Sequence, residues 1–188
     1  MEKNELLTAA RNFLSERMDS LKNDVNRCLA TKYKVTNPAP FPAILYCFSV
    51  IDLLGALYAG DATSNAHTTE QAKNYMIDFM NYPADEVDLL QKVFRHKLVH
   101  LSLPHPRIKM KGKYYIWAVC HDNPSIHLQV RPAQKSNEVH FHISIQTLVK
   151  DITDSVSGSD GYLNRLEKNE NCLQEKFNTA YRLSLIHI

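Results

Sequence analysis

The chain has 188 residues, 44% hydrophobic and 22% charged, enough apolar mass for a sizeable core and too little charge for a disordered chain. Its formal net charge is only +2, which excludes a strong global field toward nucleic acid or acidic surfaces, so any basic patch must be local. Met1-Glu2-Lys3-Asn4-Glu5 carries no apolar signal core, and Cys28, Cys47, Cys120 and Cys172 form no Cys-x-x-Cys. A cytoplasmic protein with reduced thiols is the expectation.

Leu6, Leu7, Ala10, Phe13, Leu14, Met18, Leu21, Val25, Cys28 and Leu29 recur at three- and four-residue steps and predict a helix from Asn4 to Ala30. Pro38, Pro40 and Pro42 mark a loop from Lys32 to Pro42. Ala43 to Ala59 is the second predicted helix, stopped by Gly60. The stretch Phe41 to Gly60 is about long enough to cross a bilayer. Asp52 near its middle would cost roughly 2.5–3.5 kcal/mol there. No second span accompanies it, so a buried core helix and no membrane are expected. Thr68 or Thr69 caps a third helix reaching Asn81. Pro83, Asp85, Glu86 and Asp88 suit the first turn of a fourth, because anions are favoured at a helix N-terminus. That helix carries Val87, Leu89, Leu90, Val93, Phe94, Leu98 and Leu101 and stops at Pro104.

After Pro104 the period changes to two. Lys113 to Cys120, Ser125 to Arg131 and Glu138 to Ile145 alternate, with turn clusters at 121–124 and 132–137. They predict a three-stranded antiparallel meander. In the last of these strands Val139, Phe141, Ile143 and Ile145 point one way and His140, His142 and Ser144 the other. A final helix, in pieces around Ser157 to Gly161, runs from Gln146 to Tyr181. The predicted class is α+β, mainly α: a four- or five-helix bundle with the meander inserted before the C-terminal helix. It forms one domain over 1–182, with the insert at about 108–146. Residues 183–188 are a tail without a cap or polar rhythm.

The most informative stretch for function is Arg95-His96-Lys97-Leu98-Val99-His100. Arginine is permanently charged and clamps phosphate in bidentate fashion; histidine moves protons near neutral pH. On an ideal helix Arg95 and His100 lie about 140° apart, so both can border one groove without stacking. The helix dipole at the final turn favours the charged form of His100. Eight arginines and nine histidines give roughly 0.4 chance matches to this spacing, and Arg182 with His187 is a second one, read here as accidental. A solvated helix end whose cations satisfy the dipole is the plain alternative.

Asp52, in the most apolar helix, needs a partner if buried. Arg95 is one candidate, which Asp52 would orient; a lysine of the first helix or a wet edge is the other. Arg107, Lys109, Lys111 and Lys113 form a local basic run free of acids. It reads either as a grip on RNA phosphates or as a solvated hairpin edge guarded by lysines. His127, Gln129 and Arg131 can share the polar face of His140 and His142, and His-x-His on a strand can bind zinc. No carboxylate or thiol completes that set, so no metal and no cofactor are expected. The sequence contains no Gly-rich phosphate loop, His-Glu-x-x-His or Gly-x-Ser-x-Gly.

A helical domain whose fourth helix carries Arg-polar-x-x-x-His resembles the HEPN superfamily, the higher-eukaryote and prokaryote nucleotide-binding domain. The resemblance rests on Arg95 to His100 and the helices around it, with an acid, Asp52, on the second. It implies a metal-independent endoribonuclease of the toxin or defence type, or a catalytically dead binding module. It further implies His100 as acid/base, Arg95 as phosphate clamp and His96 as an auxiliary polar group. A homodimer facing two motifs into one cleft, an RNA substrate and a cognate protein partner follow from the same resemblance.

Overall fold

The computed structural model describes residues 2–30, 40–63, 67–96, 98, 107–135 and 137–186. The class is α+β and mainly helical, with a four-stranded mixed sheet. In chain order the elements are α1 (Lys3–Ala30), α2 (Pro40–Ala59), α3 (Thr68–Met80), α4 (Ala84–Leu89), β1 (Ile108–Met110), β2 (Lys113–Cys120), β3 (Val130–Pro132), β4 (Glu138–Ser144), α5 (Ile145–Ser157), α6 (Tyr162–Glu167) and α7 (Leu173–Ile186). They form two compact units. The first comprises Met1–Leu21, Ser49–Tyr82 and Asp151–Ile188, the second Lys22–Phe48 and Pro83–Lys150, so α1, α2 and α5 contribute to both.

The first unit is helical. Leu6, Ala10, Leu14 and Met18 of α1, Ile51 and Leu54 of α2, and Phe177 and Ala180 of α7 are buried, as their helical spacing requires. Its aromatic centre is Tyr75 stacked on Phe79 at 4.9 Å, with Tyr162 5.5 Å from Phe79. Each buried phenol has a partner: Tyr75 meets the Ser155 hydroxyl at 3.0 Å, and Tyr162 donates to the Leu57 carbonyl at 3.3 Å. Asn81, in the left-handed conformation at φ 54°, ends α3. The C-terminal helical region breaks twice, not once. Besides the Ser157–Gly161 bend, Asn169, Asn171 and Cys172 adopt positive φ and separate α6 from α7. Asparagine tolerates that conformation better than most residues, and the sequence reading overlooked the pair. Helix α7 continues to Ile186, so the backbone of most of the tail is helical.

Helix α2 is long and apolar enough to cross a membrane by length and composition, and half of its most apolar window is buried. Gly55 shows why α2 and α3 can approach so closely. A Cβ there would lie 2.7 Å from the Ala72 nitrogen and the Gln71 carbonyl carbon, both backbone atoms.

In the second unit the strand order is β1-β2-β4-β3, which corrects the expected three-stranded meander. β1 and β2 form an antiparallel hairpin through Lys111 and Gly112, both at positive φ. β3 and β4 are antiparallel, but β2 and β4 are parallel neighbours. The expected strand from Ser125 shrinks to Val130–Pro132 because its first half is held otherwise. Pro124–Ile126 is a 3-10 turn, Ser125 donates its hydroxyl to Asn123 at 2.7 Å, and Leu128 is left-handed at φ 59°. Thus the chain leaves β2, skips a place, returns as β3, and fills the gap with β4. The inward alternation of β4 is as expected: Val139, Phe141 and Ile143 are buried, and Phe141 meets Phe94 at 6.2 Å.

Gly55→Ala is expected to destabilise the protein by about 1–3 kcal/mol, since α3 backbone must move to admit the methyl. Urea titration of the two proteins measures it; an unchanged midpoint would show that α2 and α3 separate at little cost.

Candidate functional site

Helix α4 does not continue regularly into the Arg95 motif. Leu90–Arg95 is a π-helical segment, closed by the His96 amide donating to the Gln91 carbonyl five residues back. Such turns are rare and recur at functional sites. A turn of this width brings positions i+4 and i+5 over position i, so Arg95 and His96 both follow Gln91 by one turn. Arg95 is half-buried and His96 exposed. His100, Lys97 and Val99 lie outside the described residues.

Gln91 itself was missed by the sequence reading. It is 4% exposed, and neither its amide oxygen nor its nitrogen has a hydrogen-bond partner among the described residues. A buried amide without partners costs about 1–3 kcal/mol, so its presence needs a reason. The signal was there: Gln91 stands four residues after Val87 and three before Phe94, in the apolar stripe where a Leu would be ordinary.

Asp52 is half-buried on α2 in the first unit, whereas Arg95 belongs to the second. The basic run divides. Arg107 lies over the Tyr114 ring at 3.8 Å and bridges to Glu138 at 3.3 Å. Lys111 pairs with Asp85 at 2.5 Å, which raises its pKa above the ordinary lysine value. Lys109 and Lys113 are exposed, and Lys109 sits 5.8 Å from Tyr114. Arg107, Lys109 and Lys111 thus flank the edge strand β1, the hairpin-edge arrangement weighed above.

The histidines sort by environment. Arg131 is the register partner of His140, and His140 and His142 lie 6.1 Å apart on one face of β4. His127 is different: its Nδ1 accepts the Ser144 backbone N–H at 3.1 Å. No group of three His, Cys, Asp or Glu that could hold a metal occurs among the described residues. The second unit also holds a cleft of about 510 Å³ lined by Leu29, Pro40, Phe41, Trp117, Val119 and Ile145, with Cys120 and His121 as its polar groups. Cys120 donates its thiol to the Ile143 carbonyl at 3.6 Å. Compared with known proteins, the chain matches no family model, no curated protein and no solved structure.

Burial holds His127 down to about 4, against an ordinary histidine value near 6.5. The unfolded chain therefore binds a proton at a higher pH than the folded one. The stability this linkage contributes is complete above pH 6.5 and is lost as pH falls toward 4, by roughly 3 kcal/mol at most. His127→Gln should flatten the fall in urea-unfolding free energy over that window; an identical slope in both proteins contradicts the assignment. Gln91→Met, which removes the unpartnered amide at similar volume, should raise stability by about 1–2 kcal/mol in the same titration. A loss of stability would mean that the amide is satisfied in the folded protein.

Proposed function

We propose that the chain is a HEPN-like, metal-independent endoribonuclease, a toxin or defence component that acts in the cytoplasm as a homodimer. Arg95 clamps the scissile phosphate, His100 serves as acid/base and His96 assists as a polar group. His100 accepts the proton of the ribose 2′-OH, whose oxygen attacks phosphorus. The bond to the 5′ oxygen breaks, and that oxygen leaves with a proton, giving a 2′,3′-cyclic phosphate. Arg95 meets the charge that grows on the phosphoryl oxygens. The observation that carries this reading is the π-helical turn, in which half-buried Arg95 and exposed His96 both follow buried Gln91, whose amide has no hydrogen-bond partner among the described residues, by about one turn.

A second reading, a non-catalytic HEPN-like binding module for a cognate protein, draws support from the basic run. Arg107 and Lys111 are tied to Glu138 and Asp85, as groups that stabilise a hairpin would be. RNA cleavage in EDTA separates the two. The wild type should release cyclic-phosphate ends. His100→Ala should be slower by roughly 10²–10⁴-fold and Arg95→Ala by roughly 10²–10³-fold. A 2′-deoxy nucleotide at the cut should block the reaction. No cleavage by the wild type, or equal rates in all three proteins, rejects the nuclease and leaves the binding module.

A further inference from the structure

The sheet of the second unit has two unlike faces. One packs inward through Tyr115, Val139, Phe141 and Ile143. Residues paired across strands share a face, and alternation assigns the opposite face to the intervening positions. Tyr114 pairs with both Lys109 and Glu138, Ile116 with His140, Arg131 with His140, and Ala118 with His142. This second face is therefore built from Lys109, Tyr114, His140, Arg131 and His142, with Arg107 laid over Tyr114. Lys109 and Arg131 are exposed, while Tyr114, His140 and His142 are half-buried.

Its charge is one-sided. Glu138 is the one carboxylate at the strand positions of this face among the described residues, and it is 8% exposed and bridged to Arg107. Arg131 and Lys109 have no carboxylate partner among the described residues. The face also offers flat groups: the two imidazoles 6.1 Å apart, and the guanidinium of Arg107 capping the Tyr114 ring at 3.8 Å. Burial, with Arg131 and His140 close by, holds His142 below its ordinary pKa, so at neutral pH its ring is an uncharged plane.

We propose that this face binds single-stranded RNA, with Arg131 and Lys109 on the phosphates and bases stacked on His140, His142 and the Arg107–Tyr114 pair. Unpaired cations give a surface complementary to a polyanion. Flat rings and a guanidinium suit unstacked bases, which a duplex keeps inside and an acidic peptide lacks. Phe94, next to Arg95, packs against Phe141 on the inward face, so this surface is distinct from the proposed cleavage motif. It binds whether or not Arg95 and His100 cleave.

The test is fluorescence anisotropy with a 2′-O-methyl oligouridylate of about 12 nucleotides, a length within the range one such surface covers. Its blocked 2′ oxygens keep binding separate from cutting. The wild type should bind, and Arg131→Glu, a change at an exposed position, should weaken binding by about tenfold. Arg131→Gln should reduce the slope of log affinity against log salt by about 0.7, the value for one lost phosphate contact. His140→Ala/His142→Ala should weaken the base-bearing strand but not an abasic strand of equal charge. Unchanged affinity in Arg131→Glu, or equal binding of the abasic strand or polyglutamate by the wild type, overturns the proposal. Failure of RNA cleavage in EDTA alone leaves it standing, because the two readouts use different strands and different residues.

Discussion

The backbone N–H of Ser144 donates to the Nδ1 of His127, and the second unit takes its shape from that bond. Ser144 ends β4 and is fully buried, with both its backbone N–H and its hydroxyl oxygen hydrogen-bonded. Its hydroxyl oxygen accepts from the Asn123 amide at 3.0 Å and from Thr147 at 2.8 Å. Beside it, the Gln146 amide donates to the His121 carbonyl at 3.0 Å. A buried polar network is stabilising only when it is complete, and this one fastens the segment after β2 to the junction of β4 and α5. Residues held there cannot pair with β2, so β4 takes the place beside β2 and runs parallel to it. A parallel pair ordinarily needs a long crossover, often a helix. Here the crossover is the 3-10 turn, the stitched segment and β3.

That exchange of neighbours gives the sheet its two characters. β4 becomes an interior strand, flanked by β2 and β3, and its alternation separates Phe141 and Ile143 from His140 and His142. With β3 outside it, Arg131 comes opposite His140. What the exchange adds is the direct pairing of β2 with β4, which sets Tyr114 opposite Glu138 and Ile116 opposite His140. The β2–β4 pairing thus brings Tyr114 and the basic residues beside it onto the same face as His140, His142 and Arg131.

Local periodicity made much of this visible beforehand. α1 is read within one residue of its ends, α3 stops at the left-handed Asn81, and in β4 Val139, Phe141 and Ile143 are buried while His140 and His142 are half-buried, although Ser144, read with the outward set, is buried. These features depend on residues close in sequence. β1 has three residues, too few to show a period. The parallel pairing depends on His127 meeting Ser144, which no local pattern announces. The second break in the C-terminal helices was legible in principle, since Asn169 and Asn171 favour positive φ, but helical spacing on either side outweighed it. For the site, Arg95 and His96 could be named from their chemistry, and Gln91 only from noticing an amide where the stripe calls for a hydrocarbon. In the sequence Asp52 reads either as an acid that orients Arg95 or as one that meets a lysine of the first helix or a wet edge, and it is half-buried on α2.

The segment around Arg95 departs from what stability alone would select. A regular α-helix with Leu at position 91 would bury more apolar surface and leave no amide unsatisfied. Instead the chain inserts a wider turn directly after α4, whose first turn carries the acids Asp85 and Glu86. Two local rules are broken within six residues, the helical repeat and the pairing of buried polar groups, and both breaks adjoin the one arginine on that helix. Proteins tend to violate such rules where a function constrains the backbone. The widened turn has a direct geometric effect on positions 95 and 96. In an α-helix only Arg95 would overlie Gln91, with His96 rotated away from it. In the π-turn both positions follow it by about one turn of the backbone. That convergence is a property of backbone width, and it brings together two groups whose chemistry suits a phosphate.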